Sequence, residues 1–185
     1  MKCLVTGGHG FIGLHLVRRL RELGHSVLVW DLAPLAGVEF EDVDITDRSR
    51  VLHPWRSIND IDAVFHLAAI SRTAHALADP YHCDQVNVMG SVNLLDAIRE
   101  RIPAARVVFA SSNIVYGSPN PYWASKCAME EYLEAYRHVY GLNTIALRYS
   151  NVYGPGMPWL DPICLASMRR SAHERGYIEL TGDGS

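Results

Sequence analysis

The sequence predicts an α/β fold in which a doubly wound parallel sheet carries helices on both faces, and three observations support that prediction. Apolar runs of strand length alternate along the 185 residues with segments of helical periodicity, a pattern typical of such sheets. The first strand runs directly into a glycine-rich turn and a helix. An acidic residue then closes the second strand. Together these features indicate a binding site at the carboxyl ends of the strands.

The elements follow in order from apolar periodicity and from glycine and proline punctuation. Apolar runs predict seven strands, at Cys3–Val5, Val27–Trp30, Val38–Ile45, Ala63–Ala69, Arg106–Ala110, Asn143–Arg148 and Ile178–Leu180. Helical spacing predicts helices at Phe11–Leu23, Tyr81–Arg101, Pro121–Tyr140 and Pro162–Arg175. The first helix is expected to end at Gly24 and to bury Leu16, Val17, Leu20 and Leu23.

Composition excludes several classes of function. With 17 basic and 20 acidic residues and no basic stripe, the chain is not expected to bind nucleic acid. No apolar stretch reaches the length of a membrane span. The four cysteines are isolated and form neither a zinc motif nor a redox pair. We therefore expect a cytoplasmic protein with reduced thiols, no metal and no membrane partner.

The turn after the first strand has the spacing of a phosphate-binding loop. Gly7 lets the chain turn tightly, Gly10 lets a pyrophosphate approach the backbone, and Gly13 lets the helix pack close to the strand. The helix that begins there offers unpaired N–H groups and a partial positive charge to an anion. The simpler alternative is an ordinary strand-to-helix turn.

Asp31 indicates which dinucleotide is bound. It lies roughly 20 residues past the glycines, where a carboxylate accepts hydrogen bonds from a ribose 2′-hydroxyl and repels a 2′-phosphate. No Arg or Lys follows in Leu32–Pro34, so we expect NAD rather than NADP. Asp44, near the end of the third predicted strand, is a candidate for holding the adenine amino group. Its alternative role is that of a solvated loop carboxylate.

Two polar residues interrupt apolar segments. His66 falls within the fourth strand, where a histidine is more often packed or hydrogen-bonded to backbone than a ligand. Asn87 falls within the second predicted helix, where an asparagine destabilises the helix unless it has a partner. We therefore expect Asn87 to contact the cofactor or a neighbouring loop.

The segment after the fifth strand carries the candidate catalytic residues Ser112, Tyr122 and Lys126. Ser112 follows a central strand, at the edge where an open α/β sheet keeps its chemistry. Tyr122 and Lys126 are four residues apart on a helix and so project from one face. A nearby ammonium and the charge of an oxidised nicotinamide favour the phenolate, so Tyr122 is a candidate base and Ser112 a hydrogen-bond donor to the same substrate oxygen. Alternatively, Tyr122 packs the helix start and Lys126 extends to solvent.

These motifs resemble the extended short-chain dehydrogenase/reductase family, in the order in which that family carries them. Within it, the chain is most similar to the NAD-dependent nucleotide-sugar epimerases and dehydratases, the group typified by UDP-glucose 4-epimerase. The stretches that carry the resemblance are Thr6–Gly13, Asp31, Asp44–Ile45, His66–Ala69, Asn87, Ser111–Ser112, Val115–Gly117, Tyr122 with Lys126, and Arg148 through Pro155.

The resemblance implies a reaction and a set of contacts. Hydride passes from a carbon of a nucleotide-sugar substrate to NAD while Tyr122 removes the hydroxyl proton, and it then returns to the other face of the keto-sugar. Ser112, Tyr122 and Asn151 are the implied substrate contacts. The cofactor contacts are expected at Gly7, Gly10, Phe11, Ile12, Gly13, Asp31, Asp44, Ile45, Leu67, Ala68, Ala69, Asn87, Tyr122 and Lys126. Asn113 and Ile114 stand where the dehydratases carry Asp and Glu, which disfavours dehydration.

Residues 1–185 are accordingly expected to form an NAD-binding Rossmann domain, with a truncated substrate-binding region starting near residue 152. Relatives continue past Gly182–Ser185 into a substrate-binding lobe. This leaves two interpretations: a nucleotide-sugar epimerase or oxidoreductase, and a catalytically silent NAD-binding module or half-enzyme that needs a partner chain. The helices around Leu94–Ile98 and Met129–Tyr136 are expected to form a homodimer contact, or simply to cover the sheet.

Overall fold

The computed structural model describes residues 1–32, 40–52, 60–157 and 164–178. Its chain divides into two compact units, Met1–Tyr149 and Ser150–Ser185. The first unit contains six strands: β1 Lys2–Thr6, β2 Ser26–Asp31, β3 Glu41–Asp42, β4 Ala63–His66, β5 Arg106–Ser112 and β6 Asn143–Tyr149. Its helices are α1 Phe11–Glu22, α2 Arg48–Leu52, α3 Thr73–Ala78, α4 Pro80–Asp84, α5 Ser91–Arg101 and α6 Pro121–Tyr140, and the second unit contains α7 Cys164–Arg175.

All six strands lie parallel in one sheet, in the order β3-β2-β1-β4-β5-β6. From β1 the chain moves outward to β2 and β3, then crosses back to place β4 on the other side of β1. Ligands of open α/β sheets bind at such a reversal, outside the carboxyl ends of the strands. The predicted doubly wound fold class is confirmed, and the reversal lies between β1 and β4.

Apolar side chains on the two faces of the sheet form two separate core clusters. On one face Cys3 and Val5 pack with Val17 and Leu20 of α1. On the other, Leu4 belongs to a larger cluster that includes Leu94 and Ile98 of α5 and Met129 and Leu133 of α6. This alternation follows from the two-residue period of a strand. It fixes which side of the sheet α6 covers, and therefore where the residues of α6 lie.

The predicted helix Tyr81–Arg101 is interrupted. After α4 the chain forms six residues of π-helix, Gln85–Gly90, before α5 begins. A Cβ at Gly90 would lie 2.8 Å from the Cγ1 atom of Ile45, so this segment packs closely against the loop after β3. The short helices α2 and α3 were not predicted, because segments of five and six residues are too short to show helical periodicity.

Several predicted boundaries differ from the structure. Leu23, expected in the core, is 54% exposed because α1 ends at Glu22 and Leu23 occupies the C-cap position. The fourth strand ends at His66 rather than Ala69, and in the described part of Val38–Ile45 only Glu41–Asp42 is strand. Strands β5 and β6 are longer than predicted, since Ser112 still pairs with Tyr149.

The remaining predictions fall partly outside the described residues. These are the start of the strand at Val38, the start of the last helix at Pro162, and the strand Ile178–Leu180, of which only Ile178 is described and is not strand. In the described ranges, no helix is long and apolar enough to cross a bilayer.

Candidate active site

The glycine turn between β1 and α1 is built by backbone contacts. Gly7 has φ +70°, a left-handed conformation that favours glycine, and its N–H donates to the carbonyl of Trp30 at 2.8 Å. A Cβ on Gly13 would lie 2.2 Å from the Gly7 carbonyl oxygen, and one on Gly7 would lie 2.7 Å from the amide nitrogen of Ala68. The turn therefore has the close approaches that the three-glycine spacing predicts.

The first turn of α1 presents backbone donors next to this turn. Gly10 is the N-cap residue and has no side-chain cap, and the N–H groups of Phe11, Ile12 and Gly13 have no acceptor within the helix. Gly10 itself adds no side chain at this position. Amides at an N-terminus bind anions and are favoured by the helix dipole. These backbone donors suit a diphosphate, and a Cβ on Gly7 or Gly13 would collide with the backbone that forms the turn.

Asp31, at the carboxyl end of β2, is tied to the same turn. Its Oδ2 atom accepts a hydrogen bond from the His9 amide at 2.9 Å, and its Oδ1 atom accepts one from the Leu32 amide at 2.8 Å. The carboxylate thus lies beside the glycine turn, as a ribose contact requires. Asp44 accepts hydrogen bonds from the amide and hydroxyl of Thr46 at 2.9 and 2.8 Å, so one of its oxygens already serves the loop.

Ile45 and the residues after β4 surround the reversal of strand order. Ile45 is 5% exposed, and its carbonyl accepts a hydrogen bond from Asn93 at 3.0 Å, so it is a core residue. Leu67–Ala69 leave the sheet immediately beside Gly7 and are half-buried. Their backbone therefore lines the crevice at the carboxyl ends of β1 and β4, where the resemblance places the cofactor.

His66 is packed and hydrogen-bonded, which agrees with the more common role expected for it. It is 3% exposed, and its two ring nitrogens lie 2.6 Å from the Thr6 hydroxyl and 2.7 Å from the Ser91 hydroxyl. Ser91 donates its own proton to the Asn87 carbonyl at 2.7 Å, so His66 Nε2–H must donate to Ser91 and Nδ1 must accept from Thr6. Burial lowers the pKa of His66 to about 3, so the ring is neutral.

Asn87 joins the loop after β4 to the helix that carries Tyr122. Its Oδ1 accepts from the Ile70 amide at 2.7 Å, while Nδ2 donates to the Ile70 carbonyl and to the Ser125 hydroxyl, both at 3.0 Å. Ser125 in turn donates to the Tyr122 carbonyl at 2.9 Å. Of the two partners expected for Asn87, the structure shows the neighbouring loop. A cofactor contact stays a prediction.

Ser112, Tyr122 and Lys126 are brought together at the carboxyl end of β5. Ser112 is the last residue of the strand, and its hydroxyl lies close enough to Tyr122 to act on the pKa of the phenol. Lys126 is 3% exposed, donates to the Ala110 carbonyl at 2.9 Å and has its Nζ 5.8 Å from the centre of the Tyr122 ring. The alternative in which Lys126 extends to solvent does not hold.

The charges of this group differ from the sequence-based expectation. Burial raises the pKa of Tyr122 above its usual value, although the Ser112 hydroxyl acts in the opposite direction. Burial also lowers the pKa of Lys126 to about 8. In the protein alone, desolvation therefore outweighs the expected effect of Lys126 on Tyr122. A phenolate at this position needs more positive charge than the chain itself supplies.

Asn151 belongs to the second unit, Ser150–Ser185, where it is exposed and lies outside helix and strand. Its expected substrate contact stays a prediction. The same unit contains a cleft of about 270 Å³ that is lined by Tyr153, Gly154, Pro155, Met157, Ala166 and Arg169. Among the described residues of the whole chain, no cluster of His, Cys, Asp and Glu could hold a metal ion.

Sequence reasoning missed three hydroxyl residues that support the site. Thr6 accepts from the Ala68 amide at 3.3 Å and donates to His66, and Ser91 and Ser125 connect α5 and α6 to Asn87. Thr6 lies in the glycine motif Thr6–Gly13, and Ser125 lies between Tyr122 and Lys126, so their positions in the sequence already indicated a place near the site. Ser91 had no such signal, because its partner His66 is 25 residues away.

Comparison with known proteins identifies relatives along most of the chain. The family model described as "NAD dependent epimerase/dehydratase family" matches residues 3–185. A curated relative, the putative UDP-glucose 4-epimerase of Methanocaldococcus jannaschii, is 36% identical in an alignment that covers 82% of this chain and 56% of the relative. The first curated relatives are spanned over only 52 to 56% of their length, so the chain covers about half of each.

Solved structures show the same similarity. The UDP-glucose 4-epimerase of Thermus thermophilus, solved in complex with NAD, superposes with a TM-score of 0.76 and 36% identity, covering 86% of this chain and 58% of that one. The UDP-N-acetylglucosamine 4-epimerase of Methanobrevibacter ruminantium, solved with UDP-N-acetylmuramic acid, superposes with a TM-score of 0.81 and 31% identity. It covers 99% of this chain and 66% of that one.

Proposed function

The chain belongs to the NAD-dependent epimerase/dehydratase family, and from this membership we propose that it binds NAD and epimerises a nucleotide sugar through a transient keto-sugar. One observation supports the proposal above the others. Ser112 and Tyr122 lie together at the carboxyl edge of the sheet, where the Ser112 hydroxyl acts to lower the pKa of Tyr122, and the buried Lys126 lies 5.8 Å from the Tyr122 ring. A module that only binds a dinucleotide has no need of this arrangement.

The residues proposed to hold NAD are those whose backbone is closest to the reversal between β1 and β4. The amides at the start of α1 receive the diphosphate, and Asp31 accepts from the adenosine ribose. The loop Leu67–Ala69 provides a backbone wall. When bound, NAD supplies a hydride acceptor and the positive charge of its oxidised nicotinamide.

The residues of the chain then handle the proton. Tyr122, as phenolate, removes the proton of the sugar hydroxyl while the carbon below it is oxidised to the ketone, and it returns the same proton when the ketone is reduced. Ser112 donates a hydrogen bond to that oxygen, and Lys126 stabilises the phenolate. Tyr122 therefore ends each turnover in the state in which it began.

The proposal extends to location and assembly. We place Asn151 against the substrate and the protein in the cytoplasm, as a homodimer. The free cysteines Cys3, Cys83 and Cys127 agree with a reducing compartment. The apolar residues of the two helix segments named for a dimer contact, among them Leu94, Ile98, Met129 and Leu133, are buried in the core and cover the sheet, so a dimer contact would use the exposed faces of these helices.

A second candidate is an NAD-binding half-enzyme that is silent without a partner chain. The chain covers only about half the length of each of the first curated relatives. Simple oxidoreduction of a nucleotide sugar is a third outcome that the same residues support.

Proton NMR of the purified chain with NAD and a panel of UDP-, GDP- and dTDP-sugars tests the proposal. Epimerisation produces new anomeric signals, which Tyr122→Phe abolishes or slows by roughly a hundredfold or more. Tyr132→Phe, an exposed tyrosine on the same helix, serves as the matched control and leaves the rate unchanged.

Silence across the panel from a chain that still binds NAD contradicts the epimerase and supports the half-enzyme. Accumulation of NADH with an oxidised sugar supports oxidoreduction instead. A rate that survives Tyr122→Phe contradicts the assignment of the base.

A further inference from the structure

The short turn that follows β5, residues Asn113–Tyr116, determines where the Ser112 hydroxyl points. This turn is a single 3₁₀-helical turn, and Ser112 is its N-cap residue. The Ser112 oxygen accepts a hydrogen bond from the Ile114 amide at 3.2 Å. Because that bond uses a lone pair of the oxygen, the hydroxyl proton remains available for Tyr122. Any shift of the turn therefore moves this donor.

Two side chains from outside the turn hydrogen-bond to it. The indole N–H of Trp123 donates to the Val115 carbonyl at 3.2 Å. Arg148 of β6 donates to the Tyr116 hydroxyl, and its guanidinium also donates to Glu130 at 3.0 and 2.6 Å. Neither contact involves the reacting groups themselves.

Trp123 is placed to couple the turn to the base, because it directly follows Tyr122 on α6. Its backbone N–H donates to the side chain of Asn120, the N-cap of this helix, at 3.0 Å. Only Gly117–Asn120 separate the turn from the helix. The indole contact thus closes a short ring that runs from Ser112 through the turn and back to Tyr122.

From this geometry we propose that Trp123 is a positioning residue, which holds the Ser112 hydroxyl next to Tyr122 through the Val115 carbonyl. The proposal rests on the proposed function for its role in catalysis, but the geometry it describes can be measured without turnover. Loss of the indole N–H frees the turn, allows the Ser112 hydroxyl to move away from Tyr122 and leaves the half-buried phenol harder to ionise.

The test is a carbon-13 NMR titration of the full chain with ring-labelled tyrosine, first without NAD and then with it. The chain contains nine tyrosines, and Tyr122→Phe assigns the signal of interest. In Trp123→Phe, the titration midpoint of Tyr122 is expected to rise by about one unit, the size expected when one hydrogen bond is lost. Trp30→Phe is the matched control, since it removes another indole hydrogen bond, that to Glu41 at 3.0 Å, and leaves the Tyr122 midpoint unchanged.

An unchanged Tyr122 midpoint in a folded Trp123→Phe chain overturns the proposal, and so does an equal rise in Trp30→Phe. If Trp123→Phe does not fold, Tyr116→Phe is the deciding variant. It removes the hydrogen bond between Arg148 and the turn, so it must also raise the titration midpoint of Tyr122. These outcomes are independent of epimerisation. A chain that turns over no sugar still supports or overturns the role of Trp123.

Discussion

The glycine turn after β1 and the Ser112–Tyr122 pair after β5 lie at the same edge of the sheet but are built in different ways. The turn is made of backbone, and its geometry requires glycine, because a Cβ on Gly13 would lie 2.2 Å from the Gly7 carbonyl oxygen. The pair is made of half-buried side chains from separate elements, which lie beside the buried Lys126. The turn should therefore respond to added volume, and the pair to charge and pH.

A buried polar network connects the two regions. It runs from the Ala68 amide through Thr6, His66 and Ser91 to the Asn87 carbonyl, and the Asn87 side chain continues it to Ser125. Changes in the network, in the glycine turn and at the Ser112–Tyr122 pair should therefore affect stability and binding in different ways.

Acid is expected to lower the unfolding free energy more than any of the substitutions below, because protonation of His66 disrupts the network that connects the two regions. The pKa of His66 is lowered from 6.5 to about 3, so the unfolded chain binds the proton first. Stability is present above pH 6.5 and is lost as the pH falls towards 3, by at most about 5 kcal/mol. Urea unfolding of the chain and of His66→Gln across this range checks the prediction. Equal slopes of unfolding free energy against pH in both proteins would contradict it.

Added volume at the turn ranks second. Gly13→Ala places a methyl group against the backbone of Gly7, which we expect to cost more than about 3 kcal/mol of unfolding free energy and to abolish NAD binding. Gly10→Ala is the matched control for the unfolding free energy only, because its Cβ would meet the Gly7 carbonyl oxygen at 3.3 Å, a distance that small shifts accommodate. Its methyl group still lies where the diphosphate is proposed to bind, so Gly10→Ala should also weaken NAD binding. Urea denaturation and titration calorimetry measure both effects. A Gly13→Ala chain as stable as Gly10→Ala shows that the turn can relax.

Removal of the buried Lys126 ammonium should change the pH dependence of the unfolding free energy. The pKa of Lys126 falls from 10.5 to about 8 on folding, so the charged form is penalised below pH 8 and the penalty disappears as the pH rises to 10.5. Relative to the unchanged chain, Lys126→Met should therefore be more stable at neutral pH than at pH 10.5 by about 3 kcal/mol. Arg137→Met, at an exposed site, should show no such trend. If the difference in unfolding free energy between Lys126→Met and the unchanged chain does not vary with pH, the Lys126 ammonium is solvated.

The smallest effect is expected at Asp31, where the turn meets a side chain. Asp31→Asn removes the charge that repels a 2′-phosphate and keeps only one acceptor oxygen for the two backbone amides, those of His9 and Leu32, that donate to Asp31. We expect the preference for NAD over NADP to fall by about tenfold, or about 1.4 kcal/mol, and the unfolding free energy to fall by about 1 kcal/mol for the lost hydrogen bond. Titration calorimetry with both dinucleotides measures this. An unchanged preference would show that residues other than Asp31 discriminate between NAD and NADP.

Sequence reasoning succeeded where the determinants are close together in the chain. The glycine spacing located the turn, Pro121 and Gly141 located both ends of α6, and Tyr122 with Lys126 fell on one helical face. It failed at Leu23 and at the helix Tyr81–Arg101. In the first case the helix ends one residue early, and in the second the chain forms a π-helical segment, Gln85–Gly90, whose last residue packs closely on Ile45.

The sequence by itself determined the fold class, the glycine turn and the spacing of the candidate catalytic residues, because periodicity and turn conformation are short-range properties of the backbone. Only the tertiary structure decided the rest. Thr6 and His66 are 60 residues apart in the chain, so the tautomer of His66 follows from packing. The pKa of Tyr122 likewise depends on burial by other elements. Hydrogen bonds and desolvation belong to the folded chain, since they exist only when distant segments exclude water together.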